Sequence, residues 1–112
     1  MMRSSTFFAS GLVLPVEEIV RLCHAAGVPV LIDGAHGPGQ VPLDLQGLDA
    51  DWYVGTCHKW LGAPKGCGFI YARADPRAGL HPVTISHGYG GGFTAEVDWR
   101  GTMGPSAFLS LP

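Results

Sequence analysis

With 112 residues the chain is long enough for one domain or part of one, yet only 14% of its residues are charged, against roughly 25% in ordinary soluble domains. A small free-standing domain needs many polar positions to cover its surface, so this low charge predicts burial against a partner or a piece cut from a larger core. A net charge of −2, a pI near 6.1 and seven scattered basic residues exclude a nucleic-acid surface, and no apolar run approaches the roughly 18 residues that span a bilayer.

Residues 1–10 form an atypical lead-in. Phe7 to Leu14 after Arg3 imitates a signal-peptide core, but Ser10 and Gly11 interrupt it and no cleavage site follows. Pro15 to Ala26 is the clearest predicted helix. Pro15 suits its first position, Glu17 and Glu18 complement the positive end of the dipole, and Val16, Ile19, Val20, Cys23 and Ala26 make one apolar stripe before Gly27. Val28 to Ile32 is a continuous apolar run, as expected of a parallel strand covered on both faces. Gly34 to Gln40 reads as a loop. Val41, Leu43 and Leu45 alternate weakly until Gly47 breaks the pattern.

Asp51 to Val54 is a second expected strand, delivering Thr56 to Lys59 at its carboxyl end. A turn at Ala63-Pro64-Lys65-Gly66 precedes a third strand, Cys67 to Ala72, and Arg73 to Pro82 reads as an exposed connection. Gly88 to Gly92 reads as a flexible run, Trp99 to Thr102 as a turn, and Ser106 to Leu111 as the opening of a helix. Helix, buried strand and further strands together define an α/β layer architecture. Three cysteines without C-x-x-C spacing predict a reduced, cytoplasmic setting.

Chemistry concentrates at two strand ends. Ligands of open α/β sheets collect outside the carboxyl ends of the strands, and both Asp33 and Lys59 fall there. A lysine amine condenses with a carbonyl once burial or a nearby cation frees its lone pair, and His58 is one such neighbour. A carboxylate holds a pyridine nitrogen protonated and so keeps the ring an electron sink. That pairing is what pyridoxal phosphate chemistry requires. Thr56 offers a hydroxyl to a phosphate, beside backbone N–H groups of Gly55 to Cys57.

Each residue also has a plainer reading. Asp33 alone suits a turn or helix cap, and Lys59 alone a solvated surface, as Lys65 does in its turn. His36 and His58 alone suit polar positions near a core. His36, Cys57, His58 and Cys67 have too irregular a spacing for zinc. Gly88 to Gly92 lacks the lysine of a Walker loop. Cys57 beside His58 suggests a thiol nucleophile, but adjacent strand residues point to opposite faces.

Taken together, Asp33-Gly34-Ala35-His36, Gly39 to Leu45, Cys57-His58-Lys59-Trp60 and Pro64-Lys65-Gly66 resemble the class V aminotransferase family. This is a branch of fold-type I pyridoxal phosphate enzymes, and the isopenicillin N epimerase-like and cysteine desulfurase-like members are the nearest in flavour. The resemblance runs from about Gly11 to the end. It implies that residues 11–112 are the central portion of a large domain with a mostly parallel sheet and flanking helices. It also implies a homodimer acting on an amino acid.

By position, Lys59 matches the lysine that forms the Schiff base with the cofactor and Asp33 the aspartate on the pyridine nitrogen. His36 matches a residue near the ring's phenolic oxygen, and Thr56 and His58 match contacts to the cofactor phosphate. Gly101 and Thr102 match a pair that reaches the phosphate of the neighbouring subunit. Family members are several times longer: a preceding half supplies a phosphate-binding turn and a stacking aromatic ring, and a following small domain supplies an arginine for the substrate carboxylate. Met103-Gly104 stands where the epimerase-like group often has an acidic residue. A rival from another class is a non-catalytic truncated isoform that pairs with a full-length subunit through exposed sheet edges.

Overall fold

The computed structural model describes residues 2–4, 11–77, 79–99 and 101–111, the side chains of residues 2–4, 76 and 77 excepted. Most of the lead-in, and Arg100 of the expected 99–102 turn, lie outside the described residues. Strands β1 (Met2–Ser4), β2 (Leu31–Asp33), β3 (Trp52–Thr56) and β4 (Gly68–Ala72) form one sheet in chain order. The pairs β1–β2 and β2–β3 are parallel, while β4 runs antiparallel to β3. In the β2–β3 register Asp33 faces Val54, so both strands end at the same edge.

Helix α1 (Val16–Ala25) forms where its stripe predicts it, with Pro15 one position earlier, at the N-cap. Its end has a specific cause. Gly27 adopts φ +67°, which lets its N–H donate to His24 O and the Val28 N–H donate to Cys23 O. These two bonds satisfy carbonyls that the helix end would otherwise leave open. Val20 is buried in a cluster with Val30, Ile32, Leu48, Ala50 and Tyr53, against which Val16 and Cys23 pack. Val30 and Ile32 are 1% exposed, and each contributes about 1.5–3 kcal/mol by leaving water.

The strand expected from Val28 starts only at Leu31. Pro29 has no N–H to give a ladder, and the Val30 N–H donates to Asp51 Oδ2 at 2.7 Å instead of to a strand. Within β2 burial alternates, with Ile32 buried and Leu31 half-buried. Asp51 also accepts from His24 Nε2 at 2.9 Å, its carbonyl takes the Arg73 N–H at 3.1 Å, and the Arg73 guanidinium lies 3.8 Å from its carboxylate. One buried carboxylate thus ties α1, β2, β3 and the end of β4 together at the amino edge of the parallel strands. Burial would raise its pKa, but the Val30 N–H, His24 and Arg73 outweigh that and hold it below the usual carboxylate range.

Three helices depart from the sequence reading. Leu45 belongs to α2 (Leu45–Leu48), because Asp44 Oδ1 caps the Gln46 and Gly47 N–H groups and Asp49 closes the turn at φ +54°. The Arg73 to Pro82 connection contains α3 (Ala74–Arg77). Phe93–Asp98 is α4, and the preceding Gly88 to Gly92 run is a turn packed on it rather than a loose one. The cause is Glu96, 4% exposed, which accepts the Gly90 N–H at 3.3 Å and meets His81 Nδ1 at 2.7 Å. α5 (Ser106–Leu109) opens where expected and buries Ala107 against Cys57 and Cys67.

Candidate active site

Two loops leave the shared carboxyl edge of β2 and β3 and meet. The first follows Asp33. Ala35 N–H donates to Asp33 Oδ1 at 3.1 Å, turning the chain, and Gly34 N–H stays on the sheet through Val54 O at 2.9 Å. Tyr53 lies beneath this turn, stacked on Phe69 at 6.1 Å, and its hydroxyl donates to Gly34 O at 3.1 Å. Burial, then the charge of Asp33, pushes the Tyr53 pKa up and keeps that hydroxyl a donor. A Cβ at Gly34 would lie 1.9 Å from Tyr53 Cζ, so only glycine fits there.

The second loop follows Thr56. Its hydroxyl donates to Ala35 O at 2.7 Å, fastening the loops together. Cys57 N–H donates to Cys67 O at 3.1 Å, continuing the β3–β4 ladder by one residue. The backbone N–H read from the sequence as open to a phosphate at Cys57 is therefore already engaged, since the chain is still paired there rather than turning. Cys57 and Cys67 are both buried. Burial, then a hydrogen bond to Cys67 and its charge, raises the Cys57 pKa, which leaves a poor nucleophile.

Beyond Cys57 the loop brings Lys59 to His36, with Nζ 3.0 Å from Nε2. Trp60 Nε1–H donates to the other ring nitrogen of His36, Nδ1, at 3.4 Å. The backbones approach too: Gly39, at φ +80°, would carry a Cβ 2.8 Å from the Trp60 carbonyl carbon. Asp33, His36, Thr56, Lys59 and Trp60 thus belong to one interlocked pair of loops. His58 lies in the same loop, and its Nδ1 is buried with no partner among the described residues. Gly101 and Thr102 sit in a bend between α4 and α5, and no hydrogen bond among the described residues joins them to this group. Lys65 is exposed in its turn.

A cavity of about 380 Å³ is lined among others by Val13, Glu17, Val41, Asp44, Leu48 and Tyr53. Neither Lys59 nor Asp33 lines it. Among the described residues no three His, Cys, Asp or Glu side chains converge as metal ligands, and no helix is long and apolar enough to cross a membrane. Tyr53 and Trp60 have structural parts in the site that the sequence reading did not assign. For Tyr53 the available signal was an aromatic residue two positions before Gly55, opposite a glycine-rich loop.

The α/β sheet, with loops leaving two adjacent parallel strand ends, is the architecture of the fold-type I pyridoxal phosphate enzymes. The family model of the class V aminotransferases matches residues 4–107, and the chain belongs to that family. Over 101 residues it is 36% identical to an L-cysteine desulfhydrase of Arabidopsis thaliana, a match covering 88% of this chain and 22% of that protein. It is 39% identical over 93 residues to isopenicillin N epimerase of Streptomyces clavuligerus, covering 78% and 23%.

Among solved structures, the cystine C-S lyase C-DES in complex with its reaction product cysteine persulfide superposes with a TM-score of 0.69 at 35% identity, covering 75% of this chain and 23% of that one. A variant of C-DES carries glycine covalently linked to the PLP cofactor. The chain spans about a fifth of the length of the curated relatives it matches. The family cofactor is pyridoxal 5'-phosphate. The side chains present fit it: an exposed amine and an aspartate lie on loops at one edge, and the buried His58 Nδ1 has no partner among the described residues, while the Thr56 hydroxyl is held by Ala35 O.

Proposed function

We propose that this chain carries the cofactor-holding centre of a pyridoxal phosphate-dependent enzyme that acts on an amino acid. Within such an enzyme residues 11–112 would be the middle of the large domain. The observation that carries the reading is the 3.0 Å approach of Lys59 Nζ to His36 Nε2, three residues after the Asp33 that ends the neighbouring parallel strand. Bound pyridoxal phosphate supplies an aldehyde that condenses with amines and a ring that accepts electrons from a substrate's α-carbon.

Lys59 would be the amine that holds the cofactor, and the same amine would move the proton at the substrate's α-carbon. Asp33 would hold the pyridine nitrogen protonated, its own carboxylate oriented by the Ala35 N–H. His36 would serve the ring's phenolic oxygen, and the His58 imidazole would take the phosphate together with the Thr56 hydroxyl, whose hydrogen must first leave Ala35 O. Gly101 and Thr102 serve the neighbouring subunit of a homodimer. The named activities of the relatives favour cleavage of a C–S bond in cysteine or a related amino acid over transamination or epimerisation. No specific observation favours the reading as a non-catalytic interaction partner. Three unpaired thiols support a reducing compartment, and the cytoplasm is the one this reading takes.

An absorbance titration tests the assignment. Pyridoxal phosphate added to the chain is expected to change its visible spectrum with Lys59 present and not in Lys59→Ala. Asp33→Ala is expected to weaken binding about tenfold, the worth of one charged hydrogen bond. An unchanged titration in Lys59→Ala would remove the proposal.

A further inference from the structure

His36 is held by both ring nitrogens, and the two contacts constrain where its hydrogen sits. An indole N–H can only donate, so the Trp60 contact at 3.4 Å makes His36 Nδ1 the acceptor. A neutral imidazole carries one hydrogen, which must then lie on Nε2. Nε2 is the atom 3.0 Å from Lys59 Nζ. An Nε2–H directed at Nζ needs a lone pair there, and an ammonium group has none. A protonated Lys59 would instead donate to Nε2, move the ring hydrogen to Nδ1, and set two N–H groups against each other at Trp60. The Trp60 bond and an Nζ–H donated to His36 Nε2 therefore exclude one another.

We propose that Trp60 is a positioning residue: by occupying His36 Nδ1 it fixes the Nε2–H form of the ring and so sets which ring atom presents its hydrogen to Lys59. Trp60 reaches the lysine only through His36, and its own indole is half-exposed, so its ring is not core packing. The loop position does not depend on the indole either, because the Gly39 approach, the Thr56–Ala35 bond and the Gly62 N–H to Lys59 O bond at 3.2 Å hold the backbone. Indole removal thus separates the proton arrangement from the fold. The catalytic meaning of this arrangement rests on the function proposed above, whereas the position of the ring hydrogen does not.

The test uses the full chain without cofactor. Nitrogen-15 spectra of its histidines, with the His36 signal assigned by its loss in His36→Gln, report which ring nitrogen bears hydrogen. The expected result is hydrogen on Nε2 in the native chain and a shift of population towards Nδ1 in Trp60→Phe. Pulse acetylation gives a second readout. Lys65 is the other lysine of the sequence and serves as an internal reference. The Lys59 to Lys65 labelling ratio is expected to fall about fivefold in Trp60→Phe, the worth of one neutral hydrogen bond.

Should Trp60→Phe lose the native His24 signal and so fail to fold, replacement of Trp60 by benzothienylalanine keeps the shape and removes only the N–H. The same two changes are expected of it. Hydrogen on Nδ1 or on both nitrogens in the native chain, or an unchanged ring pattern and labelling ratio in the folded variant, would overturn the proposal. A native chain with the expected ring hydrogen that never attaches pyridoxal phosphate would overturn the functional reading alone.

Discussion

Removing the Asp51 carboxylate should loosen the whole amino edge of the sheet. Val30 is 1% exposed, and its N–H has Asp51 Oδ2 as acceptor at 2.7 Å. Asp51→Ala leaves that donor buried without a partner, a cost of about 1–3 kcal/mol. It also removes the 2.9 Å bond to His24, which is partly exposed and adds only about 1 kcal/mol. The sum is about 2–4 kcal/mol. Asp51→Asn keeps an acceptor oxygen in place and loses the charge, so about 1 kcal/mol is expected.

At about 4 °C per kcal/mol for a chain of this size, Asp51→Ala should lower Tm by about 8–16 °C. The charge also dictates a pH dependence. The folded pKa of Asp51 is lowered, so its contribution is fully present above the usual carboxylate range and disappears as pH falls through the folded value. Urea denaturation followed by circular dichroism should therefore show the native chain and Asp51→Asn converging in acid. Equal stabilities of all three proteins at neutral pH, or a native-to-Asn gap that persists in acid, would refute the clamp.

Gly34→Ala is expected to cost more than about 2 kcal/mol and to abolish cofactor attachment, because its Cβ would overlap the Tyr53 ring that supports the Asp33 loop; native-like unfolding by urea would contradict this. Cys57 and Cys67 are expected to react with iodoacetamide far more slowly than the half-buried Cys23, as a peptide map of the alkylated chain would show. The raised Cys57 pKa has a stability consequence of known sign. The unfolded thiol ionises first, so stability should fall as pH rises past the usual thiol range, and a Cys57→Ser variant should show a shallower fall.

The parts of the fold that follow from local pattern were legible in the sequence. α1 has a stripe, acidic first turn and glycine stop; β3 and β4 have apolar runs bounded by turns. The elements that escaped depend on single capping or buried side chains. α2 exists because Asp44 caps it, and the Gly88 to Gly92 turn because Glu96 is buried beneath it. The late start of β2 has the same origin, in Asp51 taking the Val30 N–H across 21 residues.

For the site, strand-end position alone was enough to expect Asp33 and Lys59 at one edge. It could not show that His36 would be the residue touching Lys59, nor that Trp60 would hold the far side of that ring, since both contacts depend on how two loops interlock. Nor could it show that the Cys57 N–H stays in the ladder.

Reductive trapping is the most direct measurement of the claim that these strand ends build one cofactor site. The chain is incubated with pyridoxal phosphate, treated with borohydride and digested, and the peptides are weighed. A phosphopyridoxyl group on Lys59 alone is the predicted result. The same group on Lys65, or divided between the two lysines, would mean that the amine beside His36 is an ordinary surface lysine, and the account would be wrong.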